Sequence, residues 1–110
     1  KLDAYTIKVV YIVTDEKTLQ QISAIFSALG SPTRLNIIEL VSETERPLHI
    51  KAVAQVLKKD YAAIYRHIRV LENCGLVGVY EVGRSRVIYL KNKELIKEYI
   101  QKAKKMLSTR

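Results

Sequence analysis

Between Asp60 and Val77 the chain reads DYAAIYRHIRVLENCGLV. Tyr61, Ala62, Tyr65, Arg66 and Arg69 recur there at helical spacing, so one helix would present all five on a single side. A guanidinium offers paired donors to the edge of guanine, and a phenol can bond or stack on phosphates and bases. The chemistry these residues suit is therefore recognition of a DNA major groove. Turnover is a poorer fit. His67 would need a nucleophile and an orienting acid within reach to act as a base, and neither is near it in sequence. It sits beside Ile68 at the edge of an apolar stripe and reads as a half-buried histidine bracing the two helices. His49 reads as a helix-start residue rather than a ligand. Cys74 is a small hydrophobe beside Gly75 or, on the sharper reading, a lone thiol that senses through an intermolecular bond. One cysteine and two histidines cannot build a closed four-ligand zinc site within one chain, so no metal and no cofactor are expected. No acid–base or nucleophile constellation points to an enzyme.

The elements that must hold these groups are legible around them. Asp60 is a good N-cap, Ile64, Ile68 and Leu71 form one buried stripe, and Gly75 is a helix stop. A compact helix from about Ile50 to Lys58 precedes it and buries Val53, Ala54 and Leu57. Two helices joined by a tight turn make a helix-turn-helix, whose second helix would carry the reading face. Lys58 and Lys59 fall at that turn, placed with Arg69 for phosphates. Downstream, VGVYEV and RVIYL alternate around Gly83-Arg84-Ser85, the pattern of a β-hairpin, and a hairpin directly after a helix-turn-helix is a wing. Arg84, Ser85 and Arg86 at its tip favour a minor-groove or phosphate contact over mere solubility.

The ends of the chain read as assembly elements. Residues 5–13 are rich in Tyr, Thr, Ile and Val and suggest a β-strand, which extends an interface or pairs with the wing. Thr14 or Asp15 then caps a helix with Leu19, Ile22, Phe26 and Leu29 on one side, ended by Gly30. Ser31-Pro32 restarts the chain as N-cap and first helical residue, in a helix to about Val41 that buries Leu35, Ile38 and Val41. SETERP (42–47) is a loop, and Leu48 adds a short strand residue. Residues 92–108 form an amphipathic helix with Leu95, Ile96, Tyr99, Ile100, Ala103, Met106 and Leu107 on its apolar side. Lys102, Lys104 and Lys105 on that helix touch flanking phosphates or form a solvated face. The stripes of the first and last helices are more apolar surface than one small domain covers, so a homodimer is expected, paired about a two-fold axis.

A chain of 110 residues makes one domain with a modest core. Its layout is a strand and helix over 1–30, a DNA-binding core with wing over 31–90, and a dimerisation helix over 91–110. Net charge is +8, and residues 48–90 hold seven basic and three acidic side chains. The excess lies entirely in the last two-thirds of the chain, since residues 91–110 hold seven basic and two acidic side chains; this fits a polyanion partner through counterion release, although a solvated lysine-rich surface would look the same by charge alone. There is no apolar run long enough to cross a membrane and no small-residue cleavage site after YTIKVVYIV, so the expected location is the cytoplasm.

Three segments carry a family resemblance: ALGSPTRLNIIELV (28–41), HIKAVAQVL (49–57) and YRHIRVLENCGLV (65–77). Together they resemble the ArsR-type winged-helix repressors, with a Pro-Thr-Arg helix start, an Arg-His pair in the helix-turn-helix and a Gly-Leu-Val exit into the wing. The resemblance covers roughly residues 19–90 and implies a homodimer that presents two recognition helices to an inverted repeat. Metal-sensing members carry a Cys-x-Cys near the start of the helix that begins here at HIKAV, and this chain has none. Its last helix offers only Glu94 and Glu98, with no histidine, so metal sensing is not carried over. The fold expected is mostly α with a small β-wing, and the function expected is sequence-specific binding of double-stranded DNA in transcriptional regulation. The alternative is an architectural or protein-binding winged helix with little sequence preference. No small-molecule effector can be named from these residues.

Overall fold

The computed structural model describes residues 3, 4 and 13–110. The strand expected over 5–13 lies outside them, apart from Val13, an exposed bend residue. The described elements run α1 (Glu16–Leu29), α2 (Pro32–Ser42), β1 (Leu48–His49), α3 (Ile50–Leu57), α4 (Tyr61–Asn73), β2 (Val77–Val82), β3 (Ser85–Leu90) and α5 (Lys93–Thr109).

Three helices start where a side chain satisfies an orphan amide. The Asp15 carboxylate accepts the Thr18 amide at 2.8 Å, Ser31 Oγ accepts that of Arg34 at 3.3 Å, and Asp60 accepts that of Ala63 at 3.3 Å. Pro32 occupies the first turn of α2, where a missing N–H costs nothing. The two helices of the helix-turn-helix end alike. After α4, Gly75 takes a left-handed φ of 83°, and the Leu76 amide reaches back to the Leu71 carbonyl at 3.1 Å. After α3 the same geometry falls on a lysine. Lys58 has φ 55°, its amide bonds Gln55 O at 3.2 Å, and the Lys59 amide bonds Ala54 O at 3.0 Å. The expected helical Lys58 is thus the left-handed residue that ends the helix.

Ile37, Ile38, Ile50, Val53, Ile64, Ile68, Leu71, Val77 and Ile88 are fully buried and draw α2, α3, α4 and the sheet into one core. The apolar spacing places Leu35 there, and the structure leaves it only half-buried. The buried arc of α2 is Ile37, Ile38, Val41 and Ser42, and Leu35 falls at its edge.

The antiparallel sheet has the order β1-β3-β2. Val77 pairs with Leu90 and Val79 with Ile88 on the face that enters the core, and the same face reaches the tip as Glu81 opposite Arg86. Gly78 pairs with Tyr89, whose ring covers the glycine so closely that any Cβ would collide with it. The loop is two residues, Gly83-Arg84, with positive φ at the glycine alone, as a type II′ turn requires. His49 pairs with Val87, which sets the start of α3 beside the wing.

Candidate nucleic-acid interface

The outward face of α4 is arranged as the spacing predicts. Tyr61, Ala62, Arg66 and Arg69 are exposed, and Tyr65 is half-buried. Its tyrosines are not independent groups. Tyr61 and Tyr65 stack with centroids 6.2 Å apart and planes 13° from parallel. The Arg86 guanidinium, coming from the wing, lies 4.8 Å from the Tyr65 ring centroid, and that of Arg69 lies 5.8 Å away. Arg69 also donates to the Tyr65 hydroxyl at 3.4 Å and pairs with Glu72 at 3.5 Å. Hydrogen bonding to Tyr61, then the charge of Tyr65, holds the Arg86 pKa above the ordinary arginine value. Arg86 is therefore latched to the recognition helix rather than extended from the wing tip. Arg66 is different: it is exposed and has no hydrogen-bond or ion-pair partner among the described residues.

Behind this face stands Arg34 of α2, which helical spacing does not single out. Its Nε donates to Ala28 O at 2.6 Å, Nη2 to Ser27 O at 3.4 Å, and Nη1 to His67 Nδ1 at 3.0 Å. Arginine has no acceptor, so Nδ1 must be the unprotonated nitrogen and His67 the neutral tautomer with its proton on Nε2. The brace expected of His67 thus runs from α4 to α2 and, through Arg34, to the end of α1. Burial, followed by the charges of Arg34, Lys59 and Arg66, pushes the His67 pKa below its ordinary value. The one sequence signal for Arg34 was its place in the Pro-Thr-Arg helix start.

Lys58 and Lys59 are exposed at the turn before α4, and Arg84 and Ser85 are exposed at the hairpin tip. Beside them a cavity of about 190 Å³ is lined by His49, Lys51, Tyr61, Arg84, Ser85 and Arg86. Lys51 carries no sequence signal of its own. It is brought here by the pairing of β1 with β3, a contact that no local pattern announces. Cys74 is half-buried with its Sγ on the Leu71 carbonyl at 3.4 Å. Among the described residues, no three of His, Cys, Asp and Glu lie close enough to hold a metal ion. Nor is any described helix long and apolar enough to cross a membrane.

The residues expected at a dimer interface divide. Leu19, Ile22 and Phe26 on α1 are exposed, and α1 turns Ile25, Ala28 and Leu29 to the core instead. On α5, Leu95, Tyr99, Ala103, Met106 and Leu107 are exposed. Ile96, at 2 % exposure, lies in this chain's own core and has no surface left for a partner. Ile100 is half-buried against the same core. Lys102 pairs with Glu98 at 3.1 Å and Lys104 with Glu39 of α2 at 3.7 Å, so both are already engaged within the chain.

Residues 30–96 match the family model described as HVO_A0114. The HTH-type transcriptional regulator YuzN of Bacillus subtilis is 37 % identical over 86 residues, covering 71 % of this chain and 94 % of that protein. The HTH-type transcriptional regulator MJ1325 of Methanocaldococcus jannaschii is 32 % identical over 81 residues, covering 71 % of this chain and 90 % of its own length. Among solved structures, a transcriptional regulator homologue from Pyrococcus horikoshii superposes with a TM-score of 0.66 at 28 % identity, covering 81 % of this chain and 95 % of that one. The homodimeric winged helix-turn-helix DNA-binding domain Mb0332 of Mycobacterium bovis, a possible ArsR-family regulator, gives 0.75 at 19 % identity, covering 90 % and 94 %. At that identity the likeness is one of fold, and the fold is the winged helix-turn-helix that the three sequence segments resemble.

Proposed function

Because the chain belongs to the HTH-type transcriptional regulators, in the family described as HVO_A0114, we propose that it binds a short inverted repeat of double-stranded DNA as a homodimer. The observation that carries this reading is the state of Arg66. Its guanidinium is exposed and unpartnered among the described residues, in the middle of a face whose other arginine is already tied to Glu72 and Tyr65. A free, paired donor is what guanine recognition needs. Ala62 beside it is small enough to meet a thymine methyl. Arg69, Lys58 and Lys59 neutralise phosphates around the groove, Arg84 does so from the wing, and the Ser85 hydroxyl donates a hydrogen bond beside it.

The homodimer is supported by the exposed apolar stripes of α1 and α5, and by the homodimeric state of the Mycobacterium bovis domain with this fold. The test is a titration of Arg66→Ala and Arg69→Ala against a duplex selected by binding and against its scrambled form. Arg66→Ala should lose about 1–3 kcal/mol on the selected duplex and little on the scrambled one. Arg69→Ala should weaken both about equally. Equal losses from Arg66→Ala on the two duplexes would favour an architectural protein with little sequence preference.

A further inference from the structure

The cavity of about 190 Å³ beside α4 lies between three elements that the sheet register brings together. His49 and Lys51 come from the start of α3, Tyr61 from the first turn of α4, and Arg84, Ser85 and Arg86 from the hairpin tip. Three cations converge on one small space. Cations that line one cavity favour an anion within it. Lys51 and Arg84 have no ion-pair partner among the described residues. The nearest acid to the tip, Glu81, stands opposite Arg86 in the register and acts on that arginine. α3 begins at this cavity with no side-chain cap, since His49 bonds none of its amides, so the positive end of the helix dipole adds to the same field.

We infer that this corner is the seat of one backbone phosphate of bound DNA, held by Lys51, Arg84 and the Ser85 hydroxyl, with Arg86 as a positioning residue. The inference rests on the DNA-binding reading above and assigns a contact to Lys51 that the α4 face alone does not suggest. DNA is the source of the phosphate because the seat is continuous with the reading face. Tyr61 belongs to both, and a strand that met Arg66 in the groove would pass the corner on leaving it. Arg86 cannot be the main holder while its guanidinium lies over the Tyr65 ring. It keeps the hairpin tip at the distance from α3 that lets Lys51 and Arg84 share one anion.

Sharing gives the test its signature. Affinity for a fixed-length duplex of mixed sequence falls with salt at a slope of roughly 0.9 per phosphate neutralised. Wild type, Lys51→Ala, Arg84→Ala and the double variant would be titrated over a range of sodium chloride, with thermal melts to verify folding. Each single variant should flatten the slope by up to roughly one, and the double variant should flatten it no further than that. Losses that add in the double variant, or an unchanged slope for Lys51→Ala, would overturn the shared seat. In the absence of duplex, saturable binding of inorganic phosphate that Lys51→Ala abolishes, together with a duplex slope that Lys51→Ala leaves unchanged, would make this a free-phosphate site instead. A wild type that binds no duplex would sink the regulator reading itself, an outcome distinct from either of these.

Discussion

Lys58 holds a left-handed backbone angle that costs an L-residue about 1–2 kcal/mol, at a helix end where glycine would cost almost nothing. The neighbouring helix ends on Gly75 with the same hydrogen-bond pattern, so the fold itself has no need of a lysine there. Under the proposed function, a cation at the turn before α4 would pair with a DNA phosphate. Lys58→Gly should therefore raise stability by roughly 1 kcal/mol in a urea melt while weakening duplex binding. A loss of stability would mean the lysine side chain supports the turn. His67 makes a second prediction. Its pKa is depressed on folding, so the unfolded chain takes up a proton at a higher pH than the folded one. Its contribution to stability is complete above the ordinary value of 6.5 and is lost as pH falls through the lower folded-state value. Melting temperature should drop with acidification through that window, and His67→Gln should flatten the drop; a parallel decline in both would remove His67 as the cause. The reading-face residues were legible because they recur on one side of one helix. Arg34 was not, because its partner His67 is 33 positions away and only packing brings the two together.

At the scale of elements, the wing and the recognition helix act as one body through Arg86 and Tyr65. A guanidinium 4.8 Å from the half-buried Tyr65 ring contributes about 0.5–2 kcal/mol, and the ring supplies it without its hydroxyl. Tyr65→Phe should thus keep hydrogen-exchange protection in the hairpin, while Tyr65→Ala should lower it over residues 77–90 and weaken DNA binding. Equal protection in the two variants would mean that the sheet holds the wing alone. The helices and the hairpin could be placed from sequence because caps, the proline start and the glycine turn are local signals. The last residue of α3 could not, because a lysine in glycine's place breaks the local rule. Nor could the shift of the buried arc in α2 from Leu35 to Ile37, which follows from how α2 lies against its neighbours.

For the whole molecule, the exposed apolar stripes decide what assembles. Phe26 and Met106 are each 71 % exposed, and Leu107 is 61 % exposed, on helices whose other faces are already packed. The stripe of α5 was legible as amphipathic, yet pattern alone did not separate Ile96 and Ile100, which serve the core, from the residues left outside. This division selects the variant to make. Leu107→Glu changes an exposed side chain, so the fold should survive, and sedimentation should show a wild-type dimer at micromolar concentration converted towards monomer. A monomeric wild type would refute the dimer. Two recognition helices related by a two-fold axis would meet major grooves roughly 34 Å apart, one turn of DNA. The most direct measurement is therefore a hydroxyl-radical footprint on duplexes recovered from a random pool by binding to the wild-type protein. Sequence-specific recognition by a homodimer requires a common short inverted repeat, protected in two patches one helical turn apart. Uniform protection with no shared motif would contradict it.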